Sequence, residues 1–297
     1  MSNAYTGTTH LFSTPYLTLD EFKNAPTAID ISNLVFTSQD PDVQDAELSN
    51  VIARASSWVD TYCNQVLAAT TEQEQQRTRI NADGTIRLHP RYNPIIALTS
   101  FQYGNPSNQL QTLSDCSIAW IEDSEIIVPY ANLSLTYSSQ GALQFGFPTS
   151  PRVETYIKYS YVAGYANTTI ITATAGQTSL TVASGTGITA GLTLKIYDGY
   201  SSEFVTVDST YTFGSTTIPL TNALVNTHTT GISISALPPA VKEATILATT
   251  AMLKVRGDNA MVMSISTSAG QAVPGADKIG SDMALAQELL MPYRRVR

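Results

Sequence analysis

Residues able to do nucleophilic or metal chemistry are few and widely separated in this sequence. The three histidines are His10, His89 and His228, and the two cysteines, Cys63 and Cys116, show neither CxxC nor Cys-His spacing. A structural zinc site needs about four such ligands within a short reach. The sequence also lacks a glycine-rich phosphate loop, a G-x-S-x-G elbow and an H-E-x-x-H motif. We therefore predict no catalytic residue, no cofactor and no metal ligand, and a protein that is not an enzyme.

Carboxylates occur in three groups that could in principle act as acids or bases. A hydrolase needs two such groups in different environments across a cleft, and a sequence cannot show that arrangement. Helix capping and solvated loops account for these residues more simply. An enzyme of the lyase or hydrolase type therefore stays an alternative that no motif supports. The three groups are Asp20 and Glu21; Asp40, Asp42, Asp45 and Glu47; and Glu122, Asp123 and Glu125.

Cationic residues collect at the carboxyl end of the chain. A short amphipathic helix beginning near Ser281 and stopped by Pro292 comes directly before them. Arginine binds carboxylates in a bidentate way, so this end fits docking on an acidic partner. We expect the tail to have little to pack on within its own protomer. The predicted docking residues are Leu285, Leu289, Leu290, Arg294, Arg295 and Arg297.

The composition limits the kinds of partner. Charged residues make up 13% of the 297 residues, against about 25% in ordinary domains, and Ser and Thr number 68. The net charge of −8 excludes wrapping DNA by neutralising its phosphates, which requires a basic face. No stretch reaches the length of a membrane span, and the first residues lack the pattern of a signal peptide. We expect a protein made in a cytoplasm, with no membrane partner.

Two long amphipathic helices are predicted, one in each half of the chain. Asp40 is a good N-cap and Pro41 suits the first turn of a helix that runs to about Leu67. A second helix follows Pro238 and Pro239. Each has an apolar stripe that it cannot bury alone, so we expect the two helices to pack together. The predicted contact residues are Leu48, Ile52, Ala55, Trp58, Val59 and Tyr62 on the first, and Val241, Ala248, Met252 and Val255 on the second.

Between the helices the apolar pattern changes to that of β-strands. Residues 78–80 and 85–88 flank an Asp-Gly turn and predict a β-hairpin. Further strands are predicted at 95–103, 124–128 and 155–161. From 168 to 236 the chain has 26 Ser or Thr and only four residues of the Asp, Glu, Lys and Arg types, with short strands between glycine-rich turns. This segment is predicted to be an inserted all-β domain, barrel-like or sandwich-like.

Six segments of the sequence follow one another in an informative order. They are LTLDEF at 17–22, VIARASSWVDTYCN at 51–64, LHP at 88–90, PIIALTSF at 94–101, YVAGY at 161–165 and LPPAVKEA at 237–244. The order of these parts resembles the head–tail connector (adaptor) proteins of tailed bacteriophages. The resemblance covers residues 17–103, 153–166 and 237–256, and the Thr-rich insert departs from smaller members of that family.

The resemblance implies an α+β fold, with a helical-bundle connector core, a small β-hairpin or sheet and the inserted all-β domain. The implied division is an N-terminal arm at 1–16, a core at 17–167 and 237–256, the insert at 168–236, and a linker with a C-terminal docking helix and tail at 257–297. The segment 258–278 is Ser/Ala/Gly/Met-rich and aperiodic, which favours a linker.

The resemblance also implies a structural virion protein. Such connectors form a homo-oligomeric ring, commonly a dodecamer, beneath the portal protein, and the C-terminal segment commonly docks on that portal. The ring extends the DNA channel for packaging and ejection and offers the tail an attachment surface. Its partners would be the portal, a downstream neck or tail-completion protein, and genomic DNA that passes through without sequence-specific binding. Its place would be the neck of the virion, and the host cytoplasm during assembly.

A carbohydrate-binding or adhesin-like protein is the other alternative, with the β insert as its binding module. Sugar-binding surfaces of this kind use exposed aromatic platforms. The insert offers only five aromatic residues, namely Tyr197, Tyr200, Phe204, Tyr211 and Phe213.

Overall fold

The protein was analysed as a computed structural model, which describes residues 15–27, 29–79, 81, 84–104, 110–129, 155–256 and 274–295. The chain divides into two compact units. One unit is built from Ala69–Gly164, and the other from His10–Ala68 together with Tyr165–Arg297.

The first unit contains two antiparallel sheets. The larger sheet has the strand order β1-β7-β3-β4 and the smaller has the order β2-β6-β5. Their shared core includes Ile86, Phe101, Val128 and Tyr159, all fully or almost fully buried. The strands are β1 (Thr70–Thr78), β2 (Thr85–Leu88), β3 (Ile95–Gly104), β4 (Gln111–Thr112), β5 (Trp120–Glu122), β6 (Glu125–Pro129) and β7 (Thr155–Ala163).

The predicted hairpin between residues 78–80 and 85–88 is wrong. β1 begins at Thr70 and pairs over its whole length with β7, whereas β2 pairs with β6 in the other sheet. A backbone bond from Asn81 N–H to the Thr85 carbonyl, 2.9 Å, is consistent with a turn there. The turn signal was therefore correct, but it joins two strands of different sheets. Ile80, Ala82 and Asp83 lie outside the described residues.

In the second unit, residues 167–235 form a six-stranded antiparallel sheet in the order β11-β10-β13-β8-β9-β12. Its two end strands meet through a bridge between Val207 and Leu220, with backbone bonds from Asp208 to Pro219 and from Thr221 to Thr206. The sheet thus closes into a small barrel whose inside is filled by aliphatic side chains. The strands are β8 (Asn167–Thr172), β9 (Ser179–Val182), β10 (Thr193–Tyr197), β11 (Glu203–Thr206), β12 (Thr217–Pro219) and β13 (Ser233–Ser235).

Among the described residues of this unit, four α-helices complete the fold. The predicted start of the long helix is confirmed, because the Asp40 side chain accepts a bond from Asp42 N–H and Pro41 is the first helical residue. The helix ends at Cys63 rather than near Leu67, because the next residue, Asn64, adopts a left-handed backbone conformation. The last helix begins at Pro274, seven residues before the predicted start. The helices are α1 (Leu19–Lys23), α2 (Pro41–Cys63), α3 (Pro239–Arg256) and α4 (Pro274–Leu290).

The predicted fold class is wrong in its main element. The fold is mostly β, with three antiparallel sheets, and its core is not a helical bundle. The physical reason is that, among the described residues, more of the buried apolar side chains lie on strands, often in alternation as in β7, than on helices. Among the described residues, none of the helices combines the length and hydropathy that a membrane span requires.

Candidate functional site

A cleft of about 410 Å³ lies in the second unit, between α1, the start of α3 and strand β10 of the barrel. Apolar side chains and one aromatic ring form most of its wall, and four charged side chains reach it. The lining residues are Leu17, Glu21, Asn24, Ala25, Pro26, Lys195, Tyr197, Gly199, Ser202, Pro239, Lys242, Glu243 and Ile246.

A buried ion pair forms one side of this cleft. Lys242 Nζ donates to Glu21 Oε1 at 2.5 Å and to Ser233 Oγ at 3.2 Å, and both charged side chains are almost fully buried. Glu21 is held in place by a capping box, in which its Oε2 accepts from Thr18 N–H while the Thr18 hydroxyl accepts from Glu21 N–H. The short helix α1 thus serves to fix one carboxylate.

The aromatic ring of Tyr197 lies beside two ammonium groups. Lys242 Nζ is 3.9 Å and Lys195 Nζ is 4.6 Å from its centroid, which is cation–π distance. Burial lowers the pKa of Lys242, although the neighbouring Glu21 carboxylate opposes this shift. Burial and the same carboxylate raise the pKa of Tyr197 to about 12. The tyrosine is therefore a neutral wall of the cleft at physiological pH.

This arrangement suits binding better than proton transfer. The Lys242 ammonium donates to a carboxylate and a hydroxyl, and its deprotonation would leave Glu21 as an unpaired buried charge, which is costly. Lys195 differs, because its ammonium contacts the rings of Tyr197 and Phe204 and has no carboxylate partner among the described residues. Lys195 is a positive charge in this cleft that remains available to a ligand.

A second polar cluster is centred on His228 in the barrel. The fully buried imidazole faces Asp198 Oδ2 through Nδ1 and Glu203 Oε1 through Nε2, both at 2.8 Å. Burial raises the pKa of Glu203, but backbone N–H groups of Val225 and Asn226 and the His228 ring outweigh it, so the pKa lies below its usual value. The cluster joins the β10–β11 connection to the segment before β13.

Neither cluster has the form of a metal centre. Both ring nitrogens of His228 are already engaged by carboxylates. Within the part of the chain that the structure describes, no group of three or more His, Cys, Asp or Glu side chains could hold a metal ion. His89 lies 3.1 Å from Glu125 on the first unit, and His10 is outside the described residues.

Several residues predicted at the helix contact lie in clusters shared by α2 and α3, with Leu48 and Ile52 near Met252, and Val59 near Val241. Trp58, Tyr62 and Met252 are partly buried at the edges of the two helical clusters, and the side chain of Val255 is outside the described residues. The fully buried members are Leu48, Ile52, Ala55, Val59, Val241 and Ala248.

The predicted docking tail is partly built into the protein's own core. Leu290 is fully buried with Val59 and Val241, and Leu289 packs against the same cluster. The expectation that the tail has little to pack on is therefore wrong, because α4 packs on α3 and α2. Leu285 is exposed. Two arginines contact the end of α2. The guanidinium of Arg294 lies 5.4 Å from the centroid of the Tyr62 ring, and Arg295 N–H donates to the Cys63 carbonyl. Arg297 lies outside the described residues.

The predicted acidic groups are distributed among structural roles. Asp45 pairs with Lys23, Glu47 pairs with Arg54, and Glu125 pairs with Arg87. Asp40 caps α2, as the sequence predicted. Of all these residues, only Glu21 reaches the cleft.

Sequence reasoning missed Lys242, Lys195 and Tyr197 as parts of one site. A usable signal existed, because Lys242 lies between the apolar residues of the α3 stripe, and Lys195 is one of four charges in a charge-poor segment. Their meeting depends on the barrel packing against α3, which residue spacing does not encode.

Comparison with known proteins yields little. No protein-family model matches the chain, and no curated protein matches it. Among solved structures, a chain from a structure described as "Neck of empty GTA particle computed with C6 symmetry" is similar at 11% identity and a TM-score of 0.41. The alignment covers 100% of this chain and 97% of that chain.

Proposed function

We propose that the protein is a structural component of the neck of a phage-like particle, where it forms a homo-oligomeric ring beneath the portal. The ring would extend the DNA channel and offer the tail an attachment surface. The protein would act by contact with the portal, with a downstream neck protein and with its own copies. Passing DNA would not be bound in a sequence-specific way, which the acidic balance favours.

One observation carries this proposal. The segments of the sequence that resemble connectors overlap, in the same order, with regular elements of the fold. LTLDEF overlaps α1, the long segment at 51–64 covers the end of α2 and the Asn64 that follows it, and PIIALTSF enters β3. The segment YVAGY ends β7, and LPPAVKEA begins α3. The resemblance thus concerns structured parts of the molecule rather than loops.

Imaging of the purified protein by negative-stain electron microscopy tests the proposal. We expect closed rings of uniform size with a central channel. Particles of monomer size at micromolar concentration, with no rings, would contradict it. Native mass spectrometry of the same sample would give the number of copies, for which we expect twelve.

Docking on the portal is the finer part of the proposal, and it uses the exposed residues of the C-terminal segment. Of the predicted docking residues, Leu285 and Arg294 are exposed. Leu285→Asp should leave the thermal melt unchanged and reduce co-sedimentation with portal rings. Arg294→Glu also loses the contact with the Tyr62 ring, so its co-sedimentation, which should fall as well, is measured well below its own melting temperature. Val225→Ser, which alters another exposed apolar residue, serves as the control. Equal binding by all variants would mean that the docking surface lies elsewhere.

A carbohydrate-binding role is the second candidate, and one observation favours it. Tyr200, Phe204 and Phe213 on the barrel are exposed, whereas Tyr211 is buried. A glycan array probed with the full-length protein tests this role. Binding that is lost in Tyr200→Ala and Phe204→Ala would support it, and an array without signal would remove it.

A further inference from the structure

Phe36 is presented to solvent by a turn that is fixed in place. The turn Val35–Ser38 is closed by a bond from Ser38 N–H to the Val35 carbonyl at 3.2 Å, and the Phe36 side chain is 97% exposed. The carboxamide of Gln44, 5% exposed on α2, holds the turn from behind. Its Oε1 accepts from Val35 N–H at 2.8 Å, and its Nε2 donates to the carbonyls of Val35 and Ser38 at 3.1 and 2.6 Å.

A fixed and fully exposed phenylalanine has the properties of a binding anchor. Its ring remains in water in the isolated chain, where it contributes no burial to the fold. Because the turn is already ordered, burying the ring in a partner costs less conformational entropy than ordering a free loop. Aromatic side chains that enter a pocket dominate the energy of many protein interfaces.

The surroundings of Phe36 are acidic. Residues 24–53 include five acids and no lysine or arginine. Asp45 and Glu47 are paired with Lys23 and Arg54, whereas Asp30, Asp40 and Asp42 lie exposed near the turn in sequence. A partner surface should therefore offer an apolar pocket with a cation beside it.

The cleft described above has these two properties. Its wall includes Leu17, Pro26 and Ile246, and its volume of about 410 Å³ lies within the range of pockets that enclose small ligands. Lys195 contributes an ammonium group without a carboxylate partner among the described residues, next to aromatic rings. Among the described lining residues, Glu243 is the one acidic group besides the paired Glu21.

We propose that Phe36 of one copy inserts into this cleft on the next copy. The anchor and the cleft are formed by different residues of one chain, so successive copies can be joined by a head-to-tail contact in which each copy gives its Phe36 to the next. A head-to-tail contact generates a closed ring when its rotation closes on itself. The inference rests on the proposed ring and names the contact that builds it.

A complementation experiment tests this contact. Phe36→Ser removes the anchor and keeps the cleft, whereas Ala25→Trp fills the cleft and keeps the anchor. Each variant alone should be a monomer by size-exclusion chromatography with light scattering. A 1:1 mixture should form a dimer and nothing larger, because only one anchor–cleft pair remains. Lys195→Glu serves as a second cleft variant that does not change volume strongly, and it should also pair with Phe36→Ser.

Val225→Ser is the matched control, since it removes another highly exposed apolar side chain and should assemble like the parent. If the parent and Phe36→Ser both form rings, the proposed function stands and this contact is wrong. If the variants are folded monomers whose mixture remains monomeric, the contact is also wrong. If the parent itself is monomeric, both the ring and the contact are overturned.

Discussion

Glu21 and Lys242 bring opposite charges into a place that water hardly reaches. The two residues are far apart in sequence, one on a five-residue helix and the other on α3. A buried pair of this kind costs desolvation, and its own net contribution to stability is often small. Its effect on specificity is clearer, because any alternative packing of α1 would leave one charge alone.

Breaking this pair on one side should be more harmful than removing it. We expect Lys242→Met to lower the free energy of unfolding by about 3–5 kcal/mol, since it leaves the Glu21 carboxylate buried without its partner. The double variant Glu21→Gln with Lys242→Met should recover a large part of that loss. Urea unfolding of the parent, both single variants and the double variant measures the coupling. Additive losses would show that the pair does not act as a unit.

The lowered pKa of Glu203 predicts a pH dependence of stability. The pKa of the Glu203 carboxyl is lower in the folded protein than in the unfolded chain, where it lies near 4.5. Its contribution to the free energy of unfolding is therefore complete above about pH 4.5 and is lost as the pH falls through the pKa of the carboxyl in the folded protein. Glu203→Gln should be less stable than the parent at pH 7, and the difference should shrink below pH 4.5.

Thermal melts across pH 3–7 check this expectation. Glu122→Gln, which removes an exposed carboxylate on the first unit, is the control and should follow the parent. A difference between parent and Glu203→Gln that stays constant across this range would exclude Glu203 as the group responsible.

At the scale of elements, α2 shows how a pattern in sequence becomes a packed surface. Leu48, Val51 and Ile52 lie on the face that meets Leu253 of α3, and Val59 and Cys63 continue it toward Val241. The spacing of three and four residues places these side chains on one side of the helix. The remaining side carries exposed polar residues and ion pairs.

This face should carry most of the helix's contribution to stability. We expect Leu48→Ala to lower the free energy of unfolding by about 2–5 kcal/mol, because it leaves a cavity between α2 and α3. Val43→Ala on the same helix is the control, since Val43 is exposed and should cost little. Equal effects of the two substitutions in chemical denaturation would mean that the helices do not pack as described.

Local patterns predicted most elements but not their partners. The strand predicted at 155–161 alternates in burial, and the one predicted at 95–103 does so near its end, at Phe101 and Tyr103. β1 was missed because TTEQEQQRT has no apolar alternation, yet it pairs with β7 about 80 residues away. Such pairing is decided by the rest of the sheet. The same limit applies to the cleft, whose parts come from three separate segments.

On the scale of the whole molecule, the two units have separate hydrophobic cores. Phe101 and Tyr159 belong to a cluster formed within the first unit, whereas Ile196 and Ile234 fill the barrel of the second. Since a core substitution acts mainly on the side chains it touches, its effect should remain within one unit.

Hydrogen exchange can test this separation. We expect Phe101→Ala, at a cost of about 3–5 kcal/mol, to reduce amide protection in β1, β3 and β7 and to leave the barrel strands protected. Ile234→Ala should have the reverse effect and is the matched variant. A uniform loss of protection in either variant would indicate that the two units unfold as one.

The two ends of the barrel segment lie side by side. Asn167 pairs with Ser235, and Ala236 N–H donates to the Ala166 carbonyl at 2.8 Å. A linker of a few residues could therefore join Tyr165 to Leu237 at a small cost in chain entropy. We expect in-frame insertions or deletions at this point to be compatible with the folding of β7 and of α3. Among homologous proteins, we expect the number of residues between these two elements to vary most, with barrels of different sequence inserted at this position.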